Sequence, residues 1–298
     1  MHDENAVGPG DFYRLRETLP AEDQALLAEL RAFLEAEVAP VINRFWTRAE
    51  FPHHLVPGLA GLNVTGCSYQ GYGFRGRSPV VDGFVALELA RVDASIATFM
   101  GVHGGLSAGS IYLCGSEDQK ARWLPAMARM EKIGSFGLTE PDVGSAAAGG
   151  LTTTCRRTGD EWVLNGRKRW IGNASFADVN VIWARDLDDN QVKGFVVEKG
   201  TPGFSAEVMK DKIALRVVQN AMITMDDCRV PTENKLANAN SFADTARVLK
   251  MTRGFVAWQA TGCALGAFEH ALAYAKRREQ FGKPIGAFQL VQNQLVQM

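Results

Sequence analysis

The sequence predicts an α+β fold in three parts. These are an N-terminal helical domain over residues 1–130, a middle antiparallel β domain over 131–237, and an incomplete C-terminal helical bundle over 238–298. Two switches of periodicity carry this reading. Apolar residues recur at helical spacing through the first third, for example Leu26, Leu27, Leu30, Phe33 and Leu34. Short runs rich in β-branched and aromatic residues, separated by turns, then take over, and the helical period returns beyond Ser241. Composition supports large cores: of 298 residues, 46% are hydrophobic and 22% charged.

Taken in order, Ala21 to Phe45 reads as one amphipathic helix, kinked at Pro40 because proline cannot donate to the helical ladder. The stretch SPVVDGFVALELARVD offers Ser78 as N-cap and Pro79 at the first helical position. SEDQKARWLPAM opens with Ser116 and Gln119 at capping-box spacing. Strands are expected at LTTTCRR, EWVLNG, KRWIGN, VNVIWARD, KGFVVEKG and AMITM. One long helix should run from about Ser241 through KRREQ, and a second should start near Phe288 after the breaker FGKPIG. Trp123 and Trp258, large aromatics at helical spacing, belong to the core.

Charge excludes some functions. Thirty-two basic and 33 acidic residues leave a net charge of −1, so no global positive field attracts nucleic acid or an anionic membrane. The five cysteines contain no CxxC pair for zinc or dithiol chemistry, which suits a reducing compartment. MHDENAVGPGD has neither an apolar signal core nor an arginine-rich presequence, and no apolar run reaches membrane-spanning length. The expectation is a cytoplasmic protein with no metal, nucleic-acid or membrane partner.

The segment 138-LTEPDVGS-145 carries the first chemical signal. Thr139, Gly144 and Ser145 offer hydroxyls and accessible backbone N–H groups, and small residues let a flat, phosphate-bearing ligand approach closely. A Gly-Ser turn beside a strand is by itself more often structural. No GxGxxG turn opens a helix, which argues against a dinucleotide-binding crossover. What gives the segment weight is its company. GLTEPDVGS, NGRKRWIGN and RREQFGKPIGAFQ occur in the order and spacing of the acyl-CoA dehydrogenases, and the chain resembles that family over essentially its whole length. ELARVDASIATF, LCGSEDQKARWLPAMA and KRWIGNASFAD look most like the branch of glutaryl-CoA dehydrogenases and plant-type short-chain acyl-CoA oxidases.

The resemblance implies FAD between the sheet domain and the C-terminal helices. Phe136, Leu138 and Thr139 match positions that bond or pack the flavin ring, as do Trp170, Ile171 and Gly172. Gly144 and Ser145 match the mouth shared by cofactor and acyl-CoA, and Arg253 matches a position that supports CoA. Arg278, Phe281 and Gln289 match residues that reach a neighbour's FAD in family homo-oligomers. Two positions depart from the pattern: Ala146 replaces an acidic residue, and Gly172 replaces a frequent threonine.

The reaction implied is α,β-desaturation of short or medium acyl-CoA thioesters. A carboxylate removes the α-proton while the β-hydride passes to flavin N5, and the electrons go on to an electron-transfer flavoprotein or oxygen. No catalytic residue is assigned. The family's usual glutamate lies late in a C-terminal domain of four main helices, and the chain is expected to lack that region. In another branch the base occupies the position of Thr252, and neither Glu140 nor Glu269 is given the role. Glutaryl-CoA enzymes place an arginine shortly after R-V-D, whereas Asp93 is followed by ASIATFM. Two other readings stand beside the enzyme: a catalytically incomplete flavin-binding or scaffold subunit of this fold, and a helical interaction protein without cofactor.

Overall fold

The computed structural model describes Asp11 and residues 13–298; nearly all of MHDENAVGPGD lies outside the described residues. The expected first helix is present as two α-helices, α1 (Ala21–Phe33) and α2 (Ala39–Arg48), joined by a π-helical turn at Leu34–Val38. Pro40 falls in the first turn of α2, so the wide turn passes the chain over the N–H that proline lacks. Leu27, Leu30, Leu34 and Val38 are fully buried on one face of this pair.

After α3 (Val56–Leu62) comes a short hairpin that the sequence did not signal, β1 (Gln70–Gly71) with β2 (Phe74–Arg75). Helix α4 (Pro79–Val92) begins at proline as expected, but Ser78 makes no side-chain capping bond. Helix α5 (Ala94–Met100) is capped by Asp93, whose Oδ1 accepts from the N–H groups of Ser95 at 2.8 Å and Ile96 at 3.1 Å. A π-helical stretch, Gly101–Ala108, continues it into α6 (Gly109–Cys114). In α7 (Glu117–Ala128) both bonds of the Ser116–Gln119 capping box form, and Trp123 is fully buried.

The middle sheet has seven strands: β3 (Gly134–Gly137), β4 (Thr154–Thr158), β5 (Glu161–Ile171), β6 (Val179–Asp186), β7 (Val192–Glu198), β8 (Phe204–Val208) and β9 (Ala221–Pro231). The short helix α8 (Ala147–Gly150) lies between β3 and β4. Their order is β3-β6-β4-β5-β9-β8, with β7 on β6. The sheet is antiparallel in four pairings, but β6 pairs parallel with both β3 and β4. This corrects the wholly antiparallel expectation. Because β3 and β4 reach β6 through crossovers rather than tight turns, hairpin signals could not reveal their direction. EWVLNG and KRWIGN merge into the single strand β5, whose pairing with β9 shifts between Lys168 and Ile171. That irregularity turns the strand end toward the loop at 138–145.

Helix α9 (Phe242–Arg277) spans 36 residues and packs along α4. Gly262 and Gly266 make the contact possible: a Cβ on either would collide with the backbone carbonyl of Leu87 or Arg91. A hairpin, β10 (Glu279–Gln280) with β11 (Lys283–Pro284), turns the chain into α10 (Gln289–Gln297). Among the described residues no helix is long and apolar enough to cross a membrane.

Candidate functional site

Two segments meet where β3 ends and β5 turns. Arg169 donates its backbone N–H to Thr139 O at 2.8 Å, joining the LTEP loop to KRWIGN. Beneath them lies a buried ion pair. Lys168 is fully buried and its Nζ reaches Glu140 Oε1 at 2.9 Å and Leu138 O at 3.2 Å. Glu140 also accepts from Thr152 N at 2.7 Å, Thr152 Oγ1 at 2.6 Å and Thr153 N at 2.9 Å. Burial works against its charge, but the Lys168 ammonium and the two threonines hold its carboxyl well below the usual range. Burial lowers Lys168 from its ordinary value, and Glu140 only partly restores it. Glu140 is therefore a saturated anchor of the loop, not a free base.

Above this anchor the surface is open. Trp170 is 49% exposed, with its backbone left-handed at φ 67°. A bulky residue at positive φ is strained and must be held by its surroundings. Asn220 Nδ2 donates to Trp170 O at 2.8 Å, and the Arg169 guanidinium lies 5.0 Å from the indole centroid. Phe136, Leu138, Ile171 and Gly172 are buried, Thr139 is half-buried, and Gly144, Ser145 and Ala146 are exposed. A Cβ on Gly144 would meet nothing within 4 Å. A Cβ on Gly172 would sit 3.2 Å from Val102 Cγ2, so glycine there accommodates the π-helical stretch.

Buried polar bonds fix this corner to the N-terminal helices. Asn173 Nδ2 donates to Phe99 O and Gly134 O, each at 3.2 Å. His103, fully buried, accepts Gly134 N–H at Nδ1 and donates from Nε2 to Met127 O, both at 3.0 Å. Its burial pulls the imidazole pKa down to about 4, so it is neutral.

A cavity of about 370 Å³ opens among segment 64–69, α4, the Met100–Gly105 turn and α9, which contributes Thr252 and Phe255. Thr252 Oγ1 donates to Leu249 O at 3.2 Å. Arg253 is exposed and does not line the cavity. Glu269 is engaged elsewhere, 2.8 Å from Arg91 Nη1. Arg278, Phe281 and Gln289 are exposed beyond the end of α9, Phe281 at 92%. Among the described residues no side-chain hydrogen bond or ion pair joins these three to the LTEP loop or to β5.

The structure thus brings together the 136–145 and 170–172 residues, and leaves Arg253 and the 278–289 group apart. Sequence reasoning missed Lys168, Arg169, His103 and Asn220. Lys168 and Arg169 stand in a run of three basic residues, and only the inward phase of a strand could have singled out the lysine.

Family models cover most of the chain. The acyl-CoA dehydrogenase N-terminal domain matches residues 20–131, the middle domain 135–228 and the C-terminal domain 242–298. The chain belongs to the acyl-CoA dehydrogenase family. Within the family it is 34% identical to the human mitochondrial short-chain specific acyl-CoA dehydrogenase, over 94% of this chain and 69% of that protein. Among solved family structures, a glutaryl-CoA dehydrogenase from Mycobacterium smegmatis in complex with FADH2 superposes with a TM-score of 0.91 at 36% identity. That match covers 96% of this chain and 73% of the other. The butyryl-CoA dehydrogenase of Megasphaera elsdenii gives 0.88 at 31% identity, over 94% of this chain and 75% of the other.

Proposed function

We propose that this acyl-CoA dehydrogenase binds FAD and desaturates short- or medium-chain acyl-CoA thioesters at the α,β bond. One observation carries the reading: a half-exposed indole, Trp170, is held in a strained backbone beside an open loop of small residues. A planar aromatic ligand fits that surface, because Trp170 supplies a face and Gly144 leaves space at the loop rim. When bound, FAD supplies the hydride acceptor. Trp170, Phe136, Leu138, Thr139, Ile171 and Gly172 would hold its ring. Gly144 and Ser145 would form the mouth, with Ser145 and Arg253 toward CoA. Arg278, Phe281 and Gln289 would face the FAD of a second copy, which makes a homo-oligomer the expected form.

This chain's residues set the rest of the chemistry. The Lys168–Glu140 pair holds the loop carbonyl of Leu138, and so fixes the direction of the neighbouring N–H groups. The cavity beside Thr252 takes the acyl chain and excludes water from it. Among the described residues no lysine, arginine or histidine lines that cavity, so a distal carboxylate would enter unpaired. The α-proton needs a carboxylate, and Thr252, standing where part of the family carries the base, is not basic near neutral pH. This favours one second reading, a flavin-binding subunit that is catalytically incomplete by itself. Anaerobic titration of the FAD-loaded chain with butyryl-CoA separates the two: the enzyme loses its flavin absorbance, and the incomplete subunit keeps it. We assign the domains to 1–130, 131–237 and 238–298 and the protein to the cytoplasm, with an electron-transfer flavoprotein or oxygen as acceptor.

A further inference from the structure

The cavity beside Thr252 has walls of two kinds. Val85, Leu89, Phe255 and Trp258 give it an apolar lining suited to hydrocarbon. Segment 64–69 and the first turn of α4 bring Thr65, Ser68 and Asp82 to the same space. Thr65 is 2% exposed, and its Oγ1 has no hydrogen-bond partner. A buried hydroxyl in that condition calls for a ligand or a water to complete it. Asp82 Oδ2 accepts Ser68 N–H at 3.1 Å, and among the described residues no cationic side chain lines the cavity to neutralise the carboxyl. Burial accordingly pushes Asp82 above the usual carboxylate range.

A plain hydrocarbon end placed against this wall would leave Thr65 unpaired and strip Asp82 of water without replacement. A carboxylated end would add like charge to a site with no cation. We propose that the wall formed by Thr65 and Asp82 selects acyl chains that end in a neutral hydrogen-bond donor, an ω-hydroxyl or primary amide, over plain and carboxylated chains. The donor's hydrogen goes to Asp82, and its oxygen accepts from Thr65. This inference rests on the reading of the cavity as the acyl pocket.

The test is calorimetric and needs no turnover. The FAD-loaded chain is titrated with hexanoyl-CoA, ω-hydroxyhexanoyl-CoA and adipyl-CoA. The plain and hydroxylated pair is repeated at four and eight carbons, and compared at the length whose plain form binds best. The hydroxylated chain should bind about tenfold or more tightly than its plain partner, the effect of one added hydrogen bond to a charged or buried acceptor. Adipyl-CoA should bind most weakly. In Asp82→Leu, and separately in the nearly isosteric Thr65→Val, the ratio of the two dissociation constants should collapse toward one. Equal binding of the pair at every length by the unmodified chain, or a preference that survives both substitutions, overturns the selection by this wall. If the unmodified chain binds none of the ligands, the acyl-pocket reading itself has failed.

Discussion

Lys168→Met tests whether the buried pair under the LTEP loop organises the site. Both partners lie at most 2% exposed, so the substitution leaves the Glu140 carboxylate buried without its cation and removes the donor to Leu138 O. Breaking a buried pair by removing one partner costs about 3–5 kcal/mol. Three donors from Thr152 and Thr153 remain on Glu140, which places the expected loss near the lower end, about 3 kcal/mol. Against a typical stability of about 5–15 kcal/mol this is a large fraction.

The double variant Lys168→Met/Glu140→Gln should recover more than half of that loss. With its carbonyl at the Oε2 position the glutamine can still accept from Thr152 N–H and Thr152 Oγ1–H, losing the bond from Thr153 N–H, and no charge is stranded. Urea unfolding followed by circular dichroism gives the stability differences, and dilution of FAD-loaded protein gives the rate of flavin loss. We expect faster FAD release from the single variant, because Leu138 and Thr139 no longer sit on a fixed support. A single-variant cost under about 1 kcal/mol, or a double variant as unstable as the sum of the two single changes, would refute the anchoring role.

Other consequences are equally direct. His103 is neutral in the fold with its pKa at about 4, against about 6.5 unfolded. Stability from its burial is therefore whole above about pH 6.5 and erodes as pH falls toward 4, by up to ~3 kcal/mol; His103→Asn should flatten urea midpoints across that window. Thr252→Glu should raise the rate of flavin reduction by butyryl-CoA, read by anaerobic stopped flow, by about 10²-fold or more. An unchanged rate would show that Thr252 does not face the reacting carbon. The exposed Val256, Phe281, Leu290 and Val296 should drive association of the chain. A monodisperse monomer in light scattering at micromolar concentration would contradict this.

Where the sequence was legible, short-range physics explains why. The Ser116–Gln119 box is a local pair of bonds, and it forms as spaced. The long period after Ser241 gives α9 because one face of it must lie against α4. The residues proposed to hold the flavin were readable only as a resemblance, since nothing local in GLTEPDVGS says that it meets KRWIGN. The misses are long-range or depend on phase. β8 is a five-residue strand with mixed burial, and its identity rests on pairing with β9. Ser78 looked like a cap because of its type, yet its side chain makes no capping bond. Lys168 lies in a run of charges, and its burial follows from the phase it shares with Trp162 and Leu164 along β5, which composition does not encode.

The placement of polar burial also sets how a ligand would bind. Around Trp170, Lys168, Glu140 and His103 make their hydrogen bonds to backbone, to one another or to Thr152 Oγ1, and Asn173 donates from Nδ2 to backbone across β3 and the N-terminal helices while its buried Oδ1 is left without a partner among the described residues. The half of the site near Trp170 is thus ordered before any ligand arrives, and binding there costs little rotamer entropy. Arg278, Phe281 and Gln289 are exposed, and ordering such side chains costs about 0.5–1.5 kcal/mol each. A ligand held only by the first half gains the preorganised contacts without that cost. One that also engages the second half must first draw in the surface that carries it. The fold therefore commits its buried polar contacts to the Trp170 side and leaves the exposed 278–289 surface to be ordered by what binds it.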